Sequence, residues 1–158
     1  MSYIDRKIAQ VIATQSTTET ACTATTPAND TSIPQNTEGN ALAEYDTTIT
    51  PTNASSTLLI EACIQVNGST ATYGILSLFV DSTADALASI GNYWETNGTS
   101  CQMTLKYKVT ASTTLPRTYK LRLGKSTVST LTTNIANSLA NAYGVACLSV
   151  MTVTEILP

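Results

Sequence analysis

The stretch CQMTLKYKVT, residues 101–110, alternates without a break. Cys101, Met103, Leu105, Tyr107 and Val109 share one side, and Gln102, Thr104, Lys106, Lys108 and Thr110 share the other. A period of two belongs to the β-strand, whose successive side chains point to opposite faces. One apolar face needs a second layer to cover it, so this stretch alone demands a two-layer β-fold. RTYKLRLGK repeats the pattern, with Tyr119, Leu121 and Leu123 opposite Lys120 and Arg122. TLLIEACIQV does so again, with Ile60, Ala62, Ile64 and Val66 on one face.

Turn chemistry divides the rest. Asn67-Gly68 is the strongest short turn signal, so 57–66 and 71–80 are expected to form a hairpin. Ser112 to Pro116 reads as a hairpin-like connection between 101–110 and RTYKLRLGK. ADALASI fits a helical turn or a short strand. The C-terminal VACLSVMTVTEI is rich in strand formers, and earlier strands are expected at 7–14, 18–24 and 42–50. The expectation is an all-β chain, a β-sandwich or jelly roll of about 8–10 antiparallel strands. Residues 1–7 form a short N-terminal arm and 8–158 a single domain. DTSIPQNTEGNALAEYDTTITP, residues 30–51, carries the chain from one sheet into the next strand. Its Ile33 precedes a proline and is biased to extended backbone, while Asn36 and Gly39 reach left-handed torsions cheaply.

Composition limits what such a fold can do. Charged residues are 12% of the chain, about half the ~25% of ordinary soluble proteins, and threonine replaces them. The net charge is −3 with no basic run, which argues against a nucleic-acid partner. No run approaches the ~18 apolar residues of a membrane helix, and no apolar signal-peptide core follows the start, so no membrane partner and no Sec export are expected.

Chemistry is scarce. With no histidine, Ser-His-Asp and Cys-His arrangements are excluded, and no Gly-rich phosphate loop occurs. No catalytic residue, metal or cofactor is expected, and an enzyme is not. Asp81 and Asp85 of DSTADAL are the one carboxylate pair with spacing logic. Two are few for a calcium cage of about 6–8 oxygens, and an Asp-Ser turn is the expectation. Cys22, Cys63, Cys101 and Cys147 lack Cys-x-x-Cys spacing and read as small buried thiols in strands, without disulfides. The Asn-x-Ser/Thr triplets at Asn29, Asn53, Asn67 and Asn97 carry no weight without export. Less ordinary is GNYWETNGTS, where Tyr93 and Trp94 stand among turn residues as an expected contact for a glycan or a partner protein.

Five pieces in order carry a resemblance: TSIPQNTEG, TITPTNASSTLLIEA, LSLFVDSTADALA, KVTASTTLPRTYKLRLG and MTVTEI. They match at Ile33–Gly39, Pro51 with Leu58–Glu61, Phe79–Leu87, Thr118–Arg122 and Thr152–Ile156, over roughly residues 8 to 156. Together the chain resembles a surface module of tailed-bacteriophage virion proteins. The resemblance implies a jelly-roll-like sandwich on the outside of the particle, assembled as a homotrimer and carrying no catalytic residues. Only MSYIDRK precedes the matched region, which favours a capsid decoration or cement protein over a shafted fibre. Its partners would be its own copies and the major capsid protein or another virion protein, at the virion surface after synthesis in the bacterial cytoplasm. Ile4, Ile8, Val11 and Ile12 are then the expected docking arm, onto the capsid or into the trimer. The alternative is a tail-fibre or head-fibre module recognising a host surface glycan through Tyr93 and Trp94.

Overall fold

The computed structural model describes residues 7–27, 31–136 and 144–158. Among them the strands are β1 (Ile8–Ser16), β2 (Ala21–Cys22), β3 (Asn40–Ala41), β4 (Thr47–Ile49), β5 (Thr57–Gly68), β6 (Thr72–Val80), β7 (Ala88–Trp94), β8 (Ser100–Thr110), β9 (Arg117–Lys125), β10 (Leu131–Thr133) and β11 (Ser149–Ile156). A single 3-10 turn, Ala43–Tyr45, separates β3 from β4.

Two antiparallel sheets result. In the first, β8 occupies one side of β5 along its length, from Thr57 opposite Thr110 to Asn67 opposite Ser100. The other side of β5 is shared end to end by β11 and β10. Strand β1 lies outside β11, and β2 outside β10. In the second sheet β7, β6 and β9 run side by side, and β3 and β4 share the far side of β9. Each sheet is thus four strands wide, and the pair forms a β-sandwich of jelly-roll type.

The alternating stretches supply the core. Leu58, Ile60, Ala62, Ile64 and Val66 of β5 are buried with Met103 and Leu105 of β8 and Met151 and Val153 of β11. They pack with Leu76 and Leu78 of β6 and Tyr119, Leu121 and Leu123 of β9 in one cluster. Each fully buried side chain of this size contributes roughly 1.5–3 kcal/mol.

Several expectations need correction. Strands 57–66 and 71–80 are not a hairpin, because β5 and β6 belong to opposite sheets. Neither are β8 and β9, for the same reason. Two consecutive strands with one apolar face each can pair edge to edge or stack face to face; here the chain crosses between layers, so the faces stack. The true hairpin is β6 with β7, and the last three residues of ADALASI, Ala88 to Ile90, enter it as strand. Asn67 and Gly68 make no turn; they end β5, where Asn67 is buried and donates to Thr99 O and Ser100 Oγ. The strand expected at 42–50 is broken by the 3-10 turn, and that at 18–24 shrinks to β2.

Trp94 explains Gly68. The indole is fully buried between β5 and β6. A Cβ on Gly68 would lie 2.7 Å from its ring, and one on Gly74 would lie 2.5 Å from it and 2.7 Å from Leu131. The two glycines, one from each sheet, are the space the ring occupies.

Glu155 is a buried carboxylate at the end of β11. Its Oε1 accepts from Thr52 N and Thr52 Oγ1, both at 2.9 Å, and its Oε2 from Gln10 Nε2 at 2.7 Å. The same Gln10 amide donates to Thr50 O at 2.8 Å. One carboxylate therefore ties β1 and β11 to the segment after β4. Burial alone would push its pKa up, but the hydrogen bonds led by those from Gln10 and Thr52 outweigh it and hold the group at about 2, below its ordinary 4.5.

Two outcomes follow for stability. Gly74→Ala drives a methyl into Trp94 and should lower stability by about 1–3 kcal/mol in urea unfolding, with β-sheet circular dichroism retained. Because the folded-state pKa of Glu155 is depressed, its contribution is complete above pH 4.5 and is lost as pH falls through about 2. The melting temperature should drop over that window, and Glu155→Ala, costing about 1–3 kcal/mol near neutrality, should flatten the drop.

Candidate functional site

Tyr93 and Trp94 part company. Both lie on β7, and successive residues of a strand face opposite ways. Trp94 points into the core, so the expectation that it contacts a glycan or partner is overturned. Tyr93 stays 47% exposed on the outer face of the second sheet. Its ring lies 4.7 Å from that of Tyr73, its cross-strand neighbour, tilted at 45°. The aromatic pair on the surface is therefore Tyr73 with Tyr93.

The expected docking arm divides in the same way. Ile4 lies outside the described residues. Ile8 and Val11 are exposed on β1, at 64% and 53%. Ile12 faces inward and packs against the core, so it is no part of an accessible arm. β1 is not a free extension either, since it pairs with β11 from Ile8 to Ser16.

Val11 belongs instead to a broad surface, the outer face of the first sheet. Strand register puts its side chains in rows across β1, β11, β5 and β8. One row is Val11, Thr154, Leu59 and Lys108; the next is Ala13, Thr152, Glu61 and Lys106; the third is Gln15, Val150, Cys63 and Thr104. Over β1, β11 and β5 these rows hold a single charge, Glu61, and Lys106 Nζ neutralises it at 2.6 Å. A hollow of about 150 Å3 opens beside Leu59 between β5 and β8.

A second surface feature is the corner where the Ile33–Gly39 loop meets β6 and β9. Gln35 Nε2 donates to Asp85 Oδ1 at 2.9 Å, and Asn36 Nδ2 to Thr83 O at 2.8 Å. Ala86 N donates to Pro34 O, and Asn36 N to Ala84 O. Arg122 Nε and Nη2 donate to Glu38 O and Gly39 O at 2.6 and 2.7 Å. Gly39 has φ +65°, and a Cβ there would press on Leu123 and Gly124 at 3.0 Å. The loop is a clamp between two turns and a strand, and its polar side chains are spent on holding it.

The Asp81–Asp85 pair has no joint role. Asp81 Oδ2 pairs with Arg117 at 2.6 Å and its Oδ1 accepts from Thr118 N, while Asp85 holds Gln35. No group of three or more metal-ligating side chains occurs among the described residues. No helix there is long and apolar enough to cross a membrane.

The four cysteines are unbridged. Cys22, Cys63 and Cys101 lie in strands as expected and Cys147 does not, and only Cys22 is fully buried; the other three are half-buried, contrary to expectation. Cys22 is buried, and burial followed by the nearby Glu44 charge pushes its thiol up to about 12. At pH 8 roughly one part in 10⁴ would be thiolate. Iodoacetamide at that pH should therefore modify the half-buried Cys63 of the native protein and spare Cys22 until urea is added, as read by peptide mass spectrometry.

No protein-family model matches the chain, and no curated protein is significantly similar to it. Among solved structures, a CBM36-1 domain of a multidomain xylanase from the hindgut metagenome of Trinervitermes trinervoides aligns at TM-score 0.37 and 13% identity, over 86% of this chain and 96% of that one. T=1 particles derived from infectious bursal virus align at TM-score 0.43 and 15% identity, over 97% of this chain and 40% of that one. The enzymatically active domain of tailspike protein 4 from bacteriophage CBA120 aligns at 0.31 and 14%, over 90% of this chain and 19% of that one. The chain spans less than half of the two viral proteins, and at these scores and identities nothing that the three proteins do passes to it.

Proposed function

We propose that this chain is a structural protein of a tailed-phage virion that decorates and cements the assembled head, acting as a homotrimer. The observation that carries this reading is the outer face of the first sheet. Across β1, β11 and β5 it presents threonine, alanine, Gln15, Cys63 and aliphatic side chains with one charge, Glu61, that Lys106 neutralises, and Lys108 stands at the β8 side. Covering such a face costs little in desolvated charge, and it suits close packing against another protein surface, first of all another copy. The exposed Ile8 and Val11 put the most apolar part at its β1 edge, where an unpaired strand side also seeks cover. The sequence pieces that resemble phage surface modules point to the same setting.

The mechanism is mass action. A protein that binds the closed shell and not its separate subunits shifts the equilibrium towards the shell. A contact of about 1,600 Å2 is the usual size for a stable interface. With few charges in it, attachment should change little with salt. A glycan-reading fibre tip loses half of its aromatic support, since Trp94 is core.

Light scattering should give about three times 16.7 kDa for the purified protein. Val11→Asp with Leu59→Asp should reduce it to the monomer mass with its β-sheet spectrum intact, since both side chains face outward. Gold-labelled antibody should mark many positions over phage heads. A wild-type monomer, or label confined to the tail, would refute the cement reading.

A further inference from the structure

Beside the corner clamp lies an open pocket of about 380 Å3, near the lower end of the ~300–1,000 Å3 usual for small-molecule sites. Phe79, turned outward from β6 yet buried, lines it as an apolar base, with Asp46, Lys120, Arg122, Asn36 and Ser82 around it. The walls are already fixed. Arg122 is bound to Glu38 O and Gly39 O, and Asn36 to Thr83 O, so neither has to reorganise when a ligand arrives.

Two groups in the pocket are not occupied in this way. The Asp46 carboxylate and the Lys120 ammonium have no hydrogen bond or ion pair among the described residues, and they are not in contact with each other. They do feel one another. Burial raises the Asp46 pKa, and the Lys120 charge works against the rise. An exposed carboxylate and an unpaired ammonium that line the same pocket make a site with an acceptor and a donor to offer.

Charge balance narrows the ligand. Asp46, Asp81 and Glu44, whose charge acts on Asp46, stand against Lys120, Arg122 and the Arg117 that pairs with Asp81, so the pocket has no net field to select an anion or a cation. What fits is a neutral molecule that has both O–H donors and oxygen acceptors on one side and C–H groups on the other. We propose that this pocket binds one neutral sugar residue, with Asp46 accepting from one hydroxyl, Lys120 donating to the next, and Phe79 beneath the ring. Ser82 and Asn36 add polar contacts at the rim. The site lies on the second sheet, away from the face assigned to protein contacts, so it stands or falls independently of the cement reading.

The test is saturation-transfer NMR on the whole protein with D-glucose, D-galactose, D-mannose and N-acetylglucosamine, each at about 10 mM, above a Kd of about 1 mM. At least one sugar should show transfer. Asp46→Asn and Lys120→Gln should each weaken its binding about tenfold by titration, with melting temperatures unchanged, while Tyr93→Ala leaves it as in the wild type. Three results would overturn the proposal. They are no transfer from any of the four sugars, full affinity in the doubly substituted protein, and displacement of the sugar by equimolar acetate or glycine, which would mark a site for charged ligands.

Discussion

The structure depends on two apolar sheet faces covering each other, with Trp94 as the ring that fits the gap between them. Every long strand contributes one buried side, and none of these sides has another layer to turn to. The chain meets this requirement by crossing from one sheet to the other after β2, β4, β5, β7, β8 and β9. Crossing puts consecutive alternating strands face to face. The space for the indole comes from the missing side chains of Gly68 and Gly74, one in each layer, so a single packing contact sets the spacing of the sandwich at that end.

Polar groups finish what the core begins. Glu155 holds β1 against the body through Gln10 and Thr52 at one point of the rim. At another, Asn134 has φ +59° and donates to Tyr45 Oη and Thr18 O, both at 2.6 Å, while Ser149 Oγ donates to its Oδ1. These buried groups are hydrogen-bonded, which is the condition for leaving them inside. The edges of the sandwich are closed by specific bonds and its middle by apolar area. That division leaves the outer face of the first sheet unencumbered and available for contact.

Much of this was legible from alternation. The inward residues of β5, β8 and β9 are those that the period of two selects, and the sandwich follows from them. The loop at Ile33–Gly39 was legible as a fixed connection, and Gly39 takes the left-handed torsion expected of it, whereas Asn36 does not. Its partners were not, because Asp85, Thr83 and Arg122 lie far away in sequence and the bonds to them form only when three segments meet. The site residues divided by the same logic. Val11 and Tyr93 are exposed, whereas Ile12 and Trp94 are their neighbours on the opposite faces. Strand phase at 91–100 was hidden by the turn-like residues around it, and reading ADALASI as strand would have supplied it. Glu155 and Asp46 carry no local signal, since one acidic residue in a strand or turn looks like any other.

By itself, then, the order of residues determined that this chain is all-β, which side of each long strand is buried, and that histidine-based catalysis is closed to it. These are local matters, set by alternation and by which residue types are present. Tertiary structure alone decided that neighbouring strands stack instead of pairing, that Trp94 is core, and that Asp46 and Lys120 share a pocket. Those outcomes depend on contacts between segments distant in sequence, whose energies come from burial and hydrogen bonding that exist only after the sheets have closed.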